Sequence, residues 1–94
     1  MSYNLKSKMT QKSQLNILHP LQLRCARVLL EWSVDDAASA VGISASTLNR
    51  AERNSGPEVS GVALSGLRLT YESHGIEFTF DGGLGVRLKS DAGS

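Results

Sequence analysis

Residues 33–53 read SVDDAASAVGISASTLNRAER and contain two helix starts separated by a glycine. Ser33 can cap a first helix, and Asp36, three positions later, completes a capping box at the helix end that favours anions. Gly42 is a stop signal, because glycine adopts the left-handed conformation that ends helices. Ser44 is a second cap, which opens a helix to the end of the stretch. With a turn of only about four residues, the two helices are expected to cross at roughly 90–120°.

Each of these short helices has an apolar face and a polar face. The first buries Ala37, Ala38 and Val41, and the second buries Leu48 and Ala51. The outer face of the second helix carries Ser46, Thr47, Asn49 and Arg50. Short hydrogen-bonding side chains with an arginine suit the major groove of DNA.

Helices are predicted on both sides of this unit. Pro20 favours a helix start, and apolar residues recur at helical spacing from there to about Glu31. A further helix is predicted from about Ser60 to His74, with Leu64, Leu67 and Tyr71 on one face and Gly75 as its C-cap. Gly66 inside that helix indicates either a kink or a close approach of another element.

The period then changes from helical to alternating. Ile76, Phe78 and Phe80 precede the turn Asp81-Gly82-Gly83, and Val86 and Leu88 follow it, which predicts a β-hairpin over about 76–89. A lone hairpin is marginal in water. It is therefore expected either to pack on its own helices or to help build a homodimer through its edge strand.

Length and the order of these elements predict one small domain at residues 19–75, followed in sequence by the hairpin. The chain has 94 residues, a net charge of +1 and 40% hydrophobic residues. Residues 1–18 carry Lys6, Lys8 and Lys12 without an acid, and they are either a disordered tail or a basic arm that touches phosphates. Residues 90–94 are expected to form a loose tail. With no apolar run long enough for a bilayer and no secretion signal, cytoplasmic residence is expected.

Nothing in the sequence points to catalysis, a metal or a cofactor. His19 and His74 lack partners at metal-ligand spacing, and no nucleophile, base and orienting residue form a set. Cys25 is the only cysteine, which excludes an internal disulfide. It is expected to be a small buried residue inside the first helix.

The ordered motifs resemble the Cro/repressor-type (XRE-like) helix-turn-helix family over about residues 20–89. The residues that carry the resemblance are Leu23-Arg24-Cys25-Ala26-Arg27, Trp32-Ser33, Ala37-Ala38, Val41-Gly42-Ile43-Ser44, Thr47-Leu48, Glu52-Arg53, Gly75-Ile76-Glu77-Phe78 and Gly85-Val86-Arg87-Leu88. The resemblance implies a mostly α fold, a lambda-repressor-like bundle of four to five helices with a C-terminal β-hairpin. It also implies an internal ion pair between Arg27 and Glu52. Trp32 is expected in the core or as a plug at a helix end.

The resemblance further implies which residues contact DNA. Base edges would be faced by Ala45, Ser46, Asn49 and Arg50. Thr47 would touch the DNA backbone, and the predicted interface also includes Ser44, Arg53 and the amide at Val34. Val34 departs from the family, which often has a glutamine there. The segment after the second helix departs too, because it contains Glu58 instead of basic residues.

Two functions follow as expectations. The first is a bacterial sequence-specific transcriptional regulator, a small repressor or autoregulator that binds an inverted-repeat operator as a homodimer. The second is a protein-interaction module, such as an antitoxin or anti-activator. The low net charge, Val34 and Glu58 favour the second function, whereas the basic arm and Arg50 favour the first.

Overall fold

The computed structural model describes residues 17–90, which form a small, mostly helical domain with a C-terminal hairpin. Its helices are α1 (Pro20–Leu29), α2 (Val34–Val41), α3 (Ala45–Arg53) and α4 (Gly61–Ser73), and its antiparallel strands are β1 (Ile76–Thr79) and β2 (Gly85–Leu88). Residues 1–16 of the predicted arm, with Lys6, Lys8 and Lys12, and residues 91–94 of the predicted tail lie outside the described residues. Leu18 packs against the core, so the folded part begins before the predicted boundary at residue 19. Within 17–90, no helix is long and apolar enough to cross a membrane.

The caps predicted for α2 and α3 are confirmed. The Ser33 hydroxyl accepts a hydrogen bond from the Asp36 amide at 3.0 Å, and the Asp36 carboxylate accepts one from the Ser33 amide at 3.0 Å. Gly42 ends α2 with φ of 88°. The Ser44 hydroxyl accepts a hydrogen bond from the Thr47 amide at 3.0 Å. Local chemistry thus sets both ends of the turn between α2 and α3.

Helix α1 ends two residues earlier than predicted. The Glu31 amide donates to the Val28 carbonyl at 2.9 Å, and the Trp32 amide donates to the Arg27 carbonyl at 3.1 Å. These are the two hydrogen bonds of a Schellman motif, in which the residue after the cap is left-handed. Glu31 takes this conformation, with φ of 59°. Glycine usually occupies such a position, because a side chain there is sterically unfavourable.

The start of α1 contains a capping box that the sequence analysis missed. His19 is the N-cap, with its ring accepting from the Leu21 amide at 3.1 Å. The Gln22 side-chain oxygen accepts from the His19 amide at 2.9 Å, which closes the box. Gln22 is only 2% exposed, and its side-chain nitrogen donates to the carbonyls of Thr79 and Gly85, both at 3.2 Å. One glutamine therefore caps α1 and attaches the hairpin to it.

The core gathers apolar residues from five of the six elements, and half-buried Val86 of β2 packs against it. Its buried cluster consists of Leu23, Ala26, Ala37, Ala38, Leu48, Ala51, Leu67, Tyr71, Ile76 and Phe78. Gly66 marks a close approach and not a kink, because α4 is continuous and a Cβ at Gly66 would lie 3.3 Å from a methyl carbon of Val41.

Two predictions about the core are wrong. Cys25 is exposed, because it lies on the side of α1 opposite Leu23 and Ala26. Leu64 is 36% exposed, because the buried face of α4 runs through Ala63, Leu67 and Tyr71. The helix itself starts at Gly61 behind the cap Ser60 and ends before His74.

The hairpin packs on the helices of its own chain. Ile76 pairs with Leu88 and Phe78 pairs with Val86, so these four side chains share one face of the sheet. Ile76 and Phe78 are buried, and the hairpin contacts α1 and α4. Phe80 is half-buried beyond the end of β1. This is one of the two expected arrangements, and a contribution of the hairpin to a homodimer stays a prediction.

The ion pair between Arg27 and Glu52 is present and joins α1 to α3. Arg27 Nε lies 2.7 Å from Glu52 Oε2 and Nη2 lies 3.0 Å from Oε1, while Nη1 donates to the Trp32 carbonyl at 3.1 Å. The Glu52 side chain is 5% exposed and that of Arg27 is 15% exposed. The hydrogen bonding that Arg27 donates to Glu52 raises the pKa of Arg27 above its ordinary value, so the guanidinium stays protonated.

Removing either partner of this pair should destabilise the fold. Arg27→Ala should cost roughly 3–5 kcal/mol, because it leaves a buried carboxylate without a partner. Glu52→Ala should cost less, since the Arg27 side chain is nearer to solvent. Denaturant unfolding of both single variants and the double variant measures this. The double variant should lose less than the sum, and additive small losses would contradict a coupled pair.

Replacing Gln22 should loosen the hairpin from α1. Gln22→Met keeps the size of the side chain but leaves two carbonyls and the His19 amide without their partner, at about 1–3 kcal/mol for an unsatisfied buried group. Gln22→Glu should be more harmful, because a carboxylate would face the carbonyls of Thr79 and Gly85. Denaturant unfolding and hydrogen exchange of the Lys89 amide, which donates to the Gly75 carbonyl, measure the effect. If Gln22→Met had the unfolding free energy and the Lys89 amide exchange rate of the wild type, Gln22 would not be what attaches the hairpin to α1.

Candidate nucleic-acid interface

Helix α3 is held by its inner face and presents its outer face to solvent. Leu48, Ala51 and Glu52 are buried, and α3 packs against both α1 and α2. Ser46 and Arg53 are exposed. The predicted contact residues Ala45, Thr47 and Asn49 are half-buried. This end of the molecule therefore offers a short helix with small side chains to a partner.

The outer face of α3 carries no exposed carboxylate. Glu52 is the only acid in the helix, and it is turned inward and neutralised by Arg27. No acid occupies the first turn, and Arg50 and Arg53 lie in the last turn. The amide end of a helix carries a partial positive charge. This face is therefore favourable for an anionic partner.

The start of α3 has an internal hydrogen bond besides its cap. The hydroxyls of Ser44 and Thr47 lie 2.9 Å apart and share a hydrogen bond. Ser44 is exposed and Thr47 is half-buried. Ser44 and Thr47 thus stabilise the N-terminus of α3. Each hydroxyl can form only a limited number of further hydrogen bonds with a partner.

Arg50 lies along the loop after α3. A Cβ placed at Gly56 would lie only 3.2 Å from Arg50 Cδ, and Gly56 itself has φ of 72°. Arg50 Nε is buried and has no hydrogen-bond partner among the described residues. The structure therefore separates the two arginines of α3. The stem of Arg50 packs under the α3–α4 loop, whereas Arg53 is exposed beside Asn54, which ends the helix with φ of 53°.

The start of α2 is a poor phosphate site. Val34 is half-buried against the core and offers only its amide. Asp35 and Asp36 are exposed in the first turn. Hydrogen bonds from the Ser33 amide and hydroxyl lower the pKa of Asp36, so its carboxylate stays charged. That carboxylate already accepts the Ser33 amide, and its negative charge at the start of α2 opposes a phosphate there.

Charge is distributed unevenly along the chain. Three lysines lie within residues 1–16, which contain no acid, and without them the chain would carry a net negative charge. Glu58 is exposed in the loop after α3. Between residues 17 and 90, no three histidine, cysteine or acidic side chains come together as metal ligands.

A comparison of the chain with models of known protein families, with curated proteins and with solved structures finds no match. The function is therefore inferred from the geometry and charge of α2, α3 and their surroundings.

Proposed function

We propose that residues 33–54 form a helix-turn-helix within a lambda-repressor-like domain of the Cro/repressor type, and that the protein is a sequence-specific DNA-binding regulator. The observation that carries the proposal is the outer face of α3. It has small hydrogen-bonding side chains and an exposed arginine, and its only acid is turned inward. A helix of this kind can enter the major groove, where base edges present donors and acceptors.

Within this proposal, the N-terminal half of α3 contacts DNA bases, and its C-terminal end contacts the DNA phosphate backbone. In helix-turn-helix proteins the N-terminal residues of the second helix contact base edges. Ser46 and Asn49 can hydrogen-bond to bases, and Ala45 can contact a thymine methyl group. Arg53 is the exposed cation of α3 and suits a phosphate. Arg50 reads a base only if its side chain leaves the loop at Gly56.

The regulatory role is a small repressor or autoregulator. One α3 helix contacts only a few base pairs, so two copies on an inverted repeat give the usual half-site arrangement. A homodimer on an operator is therefore part of the proposal. The basic segment with Lys6, Lys8 and Lys12 would add phosphate contacts that do not depend on sequence.

Specific charges favour a second candidate, a protein-interaction module such as an antitoxin or anti-activator. Asp35, Asp36 and Glu58 are exposed near the α2–α3 unit, and they would repel phosphates. Arg50 is partly withdrawn from the surface. These features suit a protein partner with a basic surface. The two candidates differ in whether any DNA duplex is preferred.

Asn49→Ala should remove discrimination at one base pair. A bidentate contact from asparagine to adenine contributes about 1–3 kcal/mol of discrimination. We would select duplexes from a random pool with the wild-type protein and then measure affinity for selected and scrambled duplexes. Ser65→Ala, at an exposed position on α4, is the control and should bind like the wild type. If the folded wild type prefers no duplex, DNA recognition fails and the protein-partner candidate replaces it.

Arg53→Ala should weaken binding to all duplexes alike. Loss of one phosphate contact should reduce the slope of log affinity against log salt by about 1. Lys89→Ala removes an exposed cation from the hairpin end and serves as the matched control, which should leave the slope unchanged. Equal effects of the two substitutions would mean that α3 has no special place in the interface.

A further inference from the structure

Helix α1 has apolar side chains on two opposite faces. One face buries Leu23 and Ala26 in the core. The other carries Leu21, Cys25, Val28 and Leu29, which we call the α1 stripe. Leu21 is 57% exposed, Val28 is 59% exposed, and Cys25 is exposed as well. A surface helix normally has one apolar face, and a helix that is apolar all round is normally buried. The stripe therefore lacks a partner within residues 17–90.

The spacing of the stripe suits another helix. Leu21, Cys25 and Val28 are separated by four and then three positions, the spacing of the apolar seam between paired helices. Strand β2 packs beside α1, and its Leu88 is 39% exposed. Contiguous apolar patches on a protein surface mark interaction sites more often than isolated exposed residues do.

We propose that a second copy of this chain covers the α1 stripe, with the two α1 helices antiparallel across a twofold axis. A twofold interface uses the same patch on both copies, so the patch must complement itself. An apolar seam meets that condition directly. The proposal names the surface of a homodimer, and it does not depend on DNA binding.

The charges beside the stripe favour the antiparallel arrangement. Arg24 lies midway along α1, and Glu31 lies two residues after its end. Both are exposed, and neither forms an ion pair with another residue in the described part of the chain. In an antiparallel pair whose helices cross near Val28, Arg24 of one copy comes towards Glu31 of the other, where the opposite charges attract. The arrangement thus makes the interface complementary in charge as well as in apolar surface.

Glu31 is unfavourable within its own chain. It holds a left-handed conformation that suits glycine, and its carboxylate lies at the negative end of α1. A contact with Arg24 of the second copy would offset both costs. Strained residues of this kind often belong to interaction sites.

Other surfaces fit a second copy less well. The β2 edge is partly satisfied, because the Gly85 carbonyl already accepts a hydrogen bond from Gln22. On α4, Val62 and Leu69 are exposed, but the charged residues of that helix, Arg68 and Glu72, already pair with each other. The charges beside the α1 stripe have no such partner in the described part of the chain.

Val28→Lys tests the surface, because it places two like charges in the proposed seam. Sedimentation equilibrium of the full chain should show a dimer for the wild type and at least about a tenfold weaker dimer for Val28→Lys. Val62→Lys is the matched control, because it makes the same change at a valine that is 85% exposed on α4. It should dimerise like the wild type, and circular dichroism should show both variants folded. A dimer that is equally stable in Val28→Lys would overturn the proposal.

A charge reversal tests the orientation. Arg24→Glu should weaken the dimer, and adding Glu31→Arg to it should restore dimerisation, which a purely structural role of either residue would not do. A short bis-maleimide should also join the two copies through Cys25, and Val28→Lys should abolish this product. A wild type that stays monomeric and uncrosslinked would exclude the second copy.

Discussion

The bidentate pair between Arg27 and Glu52 is the interaction on which the arrangement of the helices depends. One guanidinium binds both carboxylate oxygens and also the Trp32 carbonyl, so it joins the end of α1, the α1–α2 connection and α3. The Trp32 ring packs edge-on against His74 at 4.7 Å and near Tyr71 at 6.1 Å. Burial, with a contribution from the charge of Glu52, raises the pKa of Tyr71 to about 12, so Tyr71 stays neutral beside the pair.

The same pair determines the charge of the surface. A glutamate near the end of α3 would repel phosphates if it faced outward. Glu52 instead faces inward and pairs with Arg27 of α1. The outer face of α3 therefore carries a positive charge at Arg53 and no acid that opposes it. The start of α2 has the opposite character, since Asp35 and Asp36 are exposed there. The two neighbouring helices thus present surfaces of opposite charge.

The elements were predictable where their signals are local. Ser33, Gly42 and Ser44 act on residues within one helical turn, so the sequence alone locates the ends of α2 and the start of α3. The Arg27–Glu52 pair followed from the family resemblance and not from spacing, because 25 positions separate the partners.

Features that depend on distant residues were not predictable. The side chain of Gln22 finds its carbonyls 57 and 63 positions away. Cysteine is usually buried, which predicts a buried Cys25, but the residue type does not reveal that Cys25 lies on the exposed side of α1. The position of Arg50 depends on the backbone at Gly56, which composition marks only as a loop. At the candidate site, residue types were therefore easier to predict than side-chain directions.

The attachment of the hairpin to Gln22 has a consequence for biosynthesis. A ribosome produces α1 early, but the Gly85 carbonyl that satisfies Gln22 arrives only after nearly the whole domain has been made. Until then the buried amide of Gln22 lacks its acceptors, and the side of α1 that receives β2 stays open to water. Domains tend to fold as units during synthesis. For this chain we expect that unit to close last where the hairpin meets α1, because the contact of Gln22 needs both parts.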